Sequence, residues 1–323
     1  MSRKIAAVLG LALALAGLLT VSGVRLAASQ GATITAMRTD ARVPWREPWD
    51  PYWEGVPMLD VPLSAQQVAA PMGGHRWTLR AGAVQDADRV YIVTEWADAS
   101  PDRSVDAPQD FTDAVAVQFP AVAGAQVPAF CMGDPAATVN IWQWRAAWQA
   151  DVHRGFQGAV DTRYPNAVSD WYQFHGDDVF YPGRYAGNPF STVDRVSAVD
   201  NLVAGGFGSL TADPLRSVQG WGAWRDGTWR VVFSRPLAVA REGNVELHPS
   251  DLTDVAFAVW DGAAEERNGM KSVASFVKLN LVTAEMEERA SWPFWPAPFF
   301  VFVAIWVGIV WLIAVRETRR QPA

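Results

Sequence analysis

Residues 217–237 read "SVQGWGAWRDGTWRVVFSRPL". Two runs rich in β-branched and aromatic residues flank an Asp226-Gly227 pair, and that pairing is a hairpin-turn signal. The same texture recurs along the middle of the chain. "MLDVPL", "WTLRAGAV", "RVYIVTEWAD", "DAVAVQFP", "TVNIWQWRA" and "DVAFAVWDG" are short runs bounded by Asp, Gly or Pro. Runs of this length and spacing read as strands of a sandwich or barrel. The fold class expected is therefore all-β, a β-sandwich spanning residues 58–290. No helix is expected inside it.

On the N-terminal side of these runs, residues 29–57 ("RVPWREPWDPYWEGVP" among them) show neither a helical nor a strand period. They read as an irregular arm rich in Pro and Trp that packs by its indoles. Residues 152–205 break the pattern again with turn residues and aromatics, a long insertion of the kind that is usually functional.

The two ends are different in kind. "MSRK" precedes an uncharged run of 20 residues, "IAAVLGLALALAGLLTVSGV", so residues 1–28 read as a signal peptide or an N-terminal anchor. Residues 293–315 form an apolar span edged with tryptophan, followed by "RETRR" in the tail 316–323. That is the pattern of a transmembrane helix with a cytoplasmic tail. Positive residues outside both apolar ends place the main domain on the extracytoplasmic side of the cell membrane.

Composition removes several function classes. The chain has 323 residues and a formal net charge of −7, with no basic stretch long enough to grip phosphates, so nucleic acid is not an expected partner. A single cysteine, Cys131, excludes an internal disulfide, a four-cysteine iron–sulfur cluster and a Cys-x-x-Cys-His haem attachment. No Ser/His/Asp set, paired catalytic carboxylates or phosphate-cradling glycine loop is recognisable, so no independent catalysis is expected. His75, His153, His175 and His248 lack the close spacing of a metal site.

One stretch asks for more than a core. "FCMGDPAATVNIWQWRA" (130–146) puts Cys131 and Met132 before a Gly-Asp-Pro turn and a strand-like run with Trp142 and Trp144. A thioether is a soft donor suited to haem iron, and the turn would hold it in a fixed orientation. A gap-filling core methionine is the plain alternative. Trp142 and Trp144 lie two apart, so in a strand they share one face while Ile141, Gln143 and Arg145 share the other. They are either a wall of a cofactor cavity or ordinary core. Cys131 reads as a small buried hydrophobe able to pack against a cofactor face.

Together with "YIVTEWADASPD" (91–102), "FTDAVAVQFP" (111–120) and "VAFAVWDGAAEERNGMKSVASF" (255–276), this stretch resembles the haem b (gamma) subunits of the type II dimethyl sulfoxide reductase family. That family includes ethylbenzene and dimethyl sulfide dehydrogenases, selenate, chlorate and archaeal-type nitrate reductases, and nitrite oxidoreductases. The resemblance implies a β-sandwich with one non-covalent haem b between its sheets. It implies Met132 and Lys271 as axial ligands of the haem iron, with Trp142, Trp144 and Cys131 beside the cofactor. It also implies an electron-transfer role, with an iron–sulfur (beta) subunit and a molybdopterin (alpha) subunit as partners. Lysine ligates only as the free amine, against an unperturbed pKa of about 10.4. Burial beside an apolar ring and competition from the iron both favour losing that proton. Met270 adjoins Lys271 and competes as a sulfur donor, while His153 or His175 competes for the second position. A cofactor-free carbohydrate-binding module and a membrane anchor for a catalytic complex are the rival readings.

Overall fold

A computed structural model of the chain describes residues 32–74, 78–122, 132–154, 195–239 and 241–283, with short pieces at 164–166, 182–186 and 188. The expected N-terminal segment, the 293–315 span with its tail, Cys131, His75, His175 and most of the 152–205 insertion lie outside the described residues. No helix of the described residues is long and apolar enough to cross a membrane.

Residues 32–283 form one unit. Its strands are β1 (Thr33–Arg38), β2 (Leu59–Pro62), β3 (Ser64–Ala65), β4 (Thr78–Gln85), β5 (Arg89–Ala97), β6 (Ala114–Pro120) and β7 (Val139–Arg145). They continue as β8 (Val199–Ala204), β9 (Thr211–Ala212), β10 (Gln219–Arg225), β11 (Thr228–Pro236), β12 (Leu252–Trp260), β13 (Ser272–Val273) and β14 (Val277–Leu281). One helix of nine residues, α1 (Ala146–Arg154), follows β7 directly.

The β10–β11 hairpin closes as its sequence predicts. Asp226 and Gly227 sit at φ 50° and 81°, and Arg225 pairs with Thr228 across the turn. Two successive residues at positive φ match the right-handed twist of the flanking strands.

The strands hydrogen-bond in the order β10-β11-β5-β4-β1-β14-β12-β6-β7-β8-β9. This path folds into two layers at β12. Its first residues, Leu252–Val255, pair with β14, whereas Ala256–Trp260 pair with β6. A strand that changes sheets in this way makes the corner of a sandwich. Between the layers lies the main core, where Leu79, Ile92, Trp96, Trp229 and Phe233 of one sheet meet Val117, Phe119, Trp142, Trp144 and Phe257 of the other.

The outer face of the first sheet is covered too. Val84, Tyr91, Val93 and Val232 pack with Trp53, Val43 and Val56 of the preceding arm. Covering on both faces explains why β5 is buried at seven successive positions rather than at alternate ones.

Three features differ from the sequence-based expectation. Thr33–Arg38, expected within an irregular arm, is a strand lying parallel to both β4 and β14. Helix α1 stands where none was expected. Val199–Ala204, within the supposed insertion, is a sheet strand paired with β7.

Candidate functional site

The outer face of the second sheet is where space is left. Alternate residues of β6, β7 and β12 point there: Ala116 and Gln118, then Ile141, Gln143 and Arg145, then Ala256, Ala258 and Trp260. Alanine at three of these positions leaves room for a ligand above the sheet. A cavity of 340 Å³ lies against this face, within the range of about 300–1,000 Å³ usual for small-molecule sites. Leu202 of β8 and Val273 of β13 extend this wall, and loops close the rest: Ala70 and Pro71, Phe207, Gly208 and Leu210, Asn268 and Gly269, with Met132 and Lys271.

Met132 is held by an unusual backbone. Its φ is 81°, and Gly133 follows at 71°. A non-glycine residue in the left-handed region costs of order 1–3 kcal/mol, so the surroundings must enforce it. They do so at both ends of the residue. The Met132 N–H donates to Gln118 Oε1 at 3.2 Å, and its carbonyl accepts from the Gly206 N–H at 2.9 Å. Asp134 and Ala137 then close the turn with two backbone hydrogen bonds before β7 begins.

Lys271 is 6% exposed, and its Nζ lies 5.1 Å from the Trp260 ring centroid, on the cavity side. Its backbone is clamped as well. The Lys271 N–H donates to Gly73 O at 3.1 Å, while its carbonyl accepts from the Gln66 N–H at 3.0 Å. Gly74 passes so close to that carbonyl that a Cβ there would overlap it, and its φ of 129° also demands glycine.

Gln66, which sequence reasoning missed, organises both loops. Fully buried, it donates from Nε2 to Ala69 O and Gly269 O, each at 2.8 Å, and its Oε1 accepts from the Val68 and Ala69 N–H groups. Gln66→Ala should leave several buried backbone groups without partners. A loss of about 2–3 kcal/mol is expected, read as a lowered urea midpoint with unchanged slope.

Arg145 brings a guanidinium to the edge of the cavity. Burial pushes its guanidinium down to about 10, the attraction of Asp200 opposes that, and Arg195 adds repulsion. It remains cationic at neutral pH, 5.0 Å from the Trp148 ring and beside Gln143 Oε1 at 3.5 Å.

The other residues singled out by sequence fall elsewhere. Trp142 and Trp144 are fully buried in the main core and do not line the cavity. The period of two placed both on one face, but that face is turned toward the opposite sheet. A haem between the sheets is likewise at odds with the structure, because tryptophan and aliphatic side chains fill that space. Met270 packs against Gly73, its Sδ 4.0 Å from an Arg267 Nη1, and is not among the cavity walls. His153 sits in a second cleft of 410 Å³ with Trp221, Trp224 and Trp229, its ring 4.9 Å from that of Trp221. His248 is exposed beside Glu246 at 3.7 Å.

The β-sandwich thus brings one thioether and one amine to the same largely apolar cavity outside its second sheet. The chain belongs to the ethylbenzene dehydrogenase family, whose profile matches residues 50–272. It is 29% identical over 233 residues to "Putative respiratory nitrate reductase heme subunit ORF7" of Haloferax mediterranei, covering 72% of this chain and 66% of that one. It is 28% identical over 195 residues to the chlorate reductase subunit gamma of Ideonella dechloratans, covering 60% and 61%. It is also 28% identical over 267 residues to the dimethylsulfide dehydrogenase subunit gamma of Rhodovulum sulfidophilum, covering 78% of each. The matched part thus spans less than two thirds of the first two relatives. Among solved structures, a family 9 carbohydrate binding module from Caldicellulosiruptor kristjanssonii covers 77% of this chain and 94% of that one. Its identity is 8% and its TM-score 0.38, too loose a superposition to bear on the site.

Proposed function

We propose that residues 32–283 are the haem b domain of an electron-transfer subunit in a membrane-associated molybdenum oxidoreductase complex, with Met132 and Lys271 as the axial ligands. One observation carries this reading: two residues far apart in sequence, each on a loop with a constrained backbone, line the same cavity. The donor chemistry fits the group. A thioether and an amine suit haem iron, the alanine-rich sheet face accepts a flat apolar ring, and Arg145 offers a cation to ring carboxylates. Bound haem would supply one-electron exchange between ferric and ferrous iron.

The protein's own residues supply the rest. Gln118 and Gly206 hold the Met132 backbone, Gln66 and Gly73 hold that of Lys271, and Ala116, Ile141, Ala256 and Ala258 exclude water from the space between. Held donors cost less reorganisation when the charge on a bound metal changes. The names of the relatives, a nitrate reductase heme subunit and two gamma subunits, support a place in a multi-subunit complex. Iron–sulfur and molybdopterin subunits as partners, and a membrane-tethered extracytoplasmic location, belong to the same proposal. No reaction of its own is assigned to the chain.

The test is an absorption spectrum of the purified chain, oxidised and then reduced. A Soret band that sharpens on reduction is expected, with the haem released by acid–acetone because no thioether links it. A colourless chain that does not take up added haem would sink the reading. The second cleft, walled by Trp221, Trp224 and Trp229, is where a sugar-stacking function would sit instead. Saturable quenching of indole emission by oligosaccharides, with no haem bound, is the outcome that reading requires.

A further inference from the structure

Four carboxylates meet at the end of the sandwich where β5, β6 and β12 converge. Asp98 follows β5, Asp102 lies in the next turn, Asp113 immediately precedes β6, and Asp261 immediately follows β12. The pairing of Trp260 with Ala114 brings Asp113 and Asp261 together, and each of the four contributes an oxygen within 4.8 Å of the others. None of them makes an ion pair among the described residues. Arg103, next to Asp102 in the sequence, lies over the Trp229 ring at 5.3 Å instead.

A second observation points to what belongs there. Asp98 is 7% exposed, and its Oδ2 is buried with no hydrogen-bond partner, although its Oδ1 accepts from Ser100 N–H at 3.1 Å. The Trp96 indole lies near this carboxylate without a hydrogen bond of normal geometry, and its own Nε1 also has no partner. A buried carboxylate oxygen in a group of four acids is thus left without a partner. The remaining acids are oriented by the backbone. Asp113 Oδ1 accepts from the Gly262 N–H at 2.8 Å, and its Oδ2 accepts from the Asp102 N–H at 2.7 Å and Trp229 Nε1–H at 2.9 Å.

We propose that Asp98, Asp102, Asp113 and Asp261 bind a calcium ion, which ties the two sheets together at this end and fixes the start of the loop that leads to Lys271. All-oxygen donors select a hard cation over zinc or copper. Oxygens on opposite sides of one calcium ion lie about 4.6–5.2 Å apart, whereas magnesium draws them to about 4.2 Å or less. Acids fixed by the fold in an irregular, partly buried group suit calcium, which accepts many oxygens in flexible geometry, better than magnesium, which demands a near-ideal octahedron and keeps several waters.

The protonation behaviour agrees. Burial raises the carboxyls of both Asp98 and Asp113 above the usual range, and repulsion from Asp261 and from Asp98 respectively adds to it. Around them stand Asp102, Asp261, Arg103 and Glu266, the last accepting from the Asp261 N–H. A calcium ion must displace these protons, so its affinity should rise with pH.

The readouts need no haem, so they stand apart from the electron-transfer reading. The purified full chain, stripped with chelator and dialysed, is titrated with calcium chloride by calorimetry and by indole emission. One site per chain is expected, with altered emission, since Trp229 donates to Asp113, and a raised melting temperature. Asp98→Asn should raise the melting temperature of the calcium-free chain by relieving repulsion, yet weaken calcium binding at least tenfold. Asp261→Asn, on the more open side of the cluster, should weaken binding similarly and covers the case in which the Asp98 variant fails to fold. Asp60→Asn, at an exposed carboxylate outside the cluster, should change nothing. Absent calcium heat and an unchanged melting temperature overturn the site. So does binding that survives both cluster substitutions, or equal stabilisation by magnesium at the same concentration.

Discussion

Lys271→Ala is expected to convert bound haem from a six-coordinate, low-spin form to a five-coordinate or water-ligated, high-spin one. Met132→Ala should do the same from the other axial position. It should also lower the reduction potential by on the order of 100 mV, because thioether ligation favours the ferrous state and axial ligands command about 0.8 V in all. Neither change should unfold the domain. Lys271 owes its setting to backbone bonds from Gln66 and Gly73, which alanine keeps. The control is Met270→Leu, next along the chain but packed against Gly73 and outside the cavity lining. Its spectrum and potential should match the wild type. A spin-state change with Met270→Leu and none with Met132→Ala would move the sulfur ligand to the wrong side of Lys271 and end the assignment.

The strands were legible as short β-branched and aromatic runs bounded by Asp, Gly or Pro, even where, as in β5 and β6, both faces are buried. The turn at Asp226-Gly227 was legible because only a pair tolerant of positive φ fits it. What failed has physical causes. Thr33–Arg38 carries no signal beyond alternation, and its place between β4 and β14 is set by long-range parallel pairing. Helix α1 is nine residues long, and Gln149, which accepts from Trp144 Nε1–H and Gly222 N–H, ties it to the sheets. Such a short helix is decided by tertiary contacts rather than by propensity. For the site, Met132 and Lys271 came from motif order; spacing alone does not bring them to one cavity. Periodicity tells which side chains share a face, not which face the rest of the chain leaves open, and so Trp142 and Trp144 were read as candidate walls. The four aspartates looked like strand boundaries one by one. Only the β6–β12 register turns them into a cluster.

The tryptophan question has a quantitative answer available. Trp144 is fully buried, its ring centroid 4.9 Å from Trp229 and 6.3 Å from Trp96, with its Nε1–H given to Gln149 Oε1 at 3.2 Å. Truncation to alanine opens a cavity at the meeting point of both sheets and removes one of the two hydrogen bonds to the Gln149 carbonyl. A loss of about 3–5 kcal/mol is expected, measured by urea unfolding followed with circular dichroism. Gly222 tests the same packing from the opposite side. A Cβ there would overlap Cζ2 and Cε2 of the Trp144 ring, so Gly222→Ala must displace the indole or strand β10, at about 1–3 kcal/mol. In both variants the haem spectrum of the folded fraction should stay as in the wild type, since the cavity lies on the far side of β7. Trp144→Phe separates the two roles most sharply. A core residue should respond with a modest loss of stability and an unaltered Soret band. A shifted Soret band at unchanged stability would instead make the indole a wall of the cofactor site, and the cavity outside the second sheet would no longer be where haem binds.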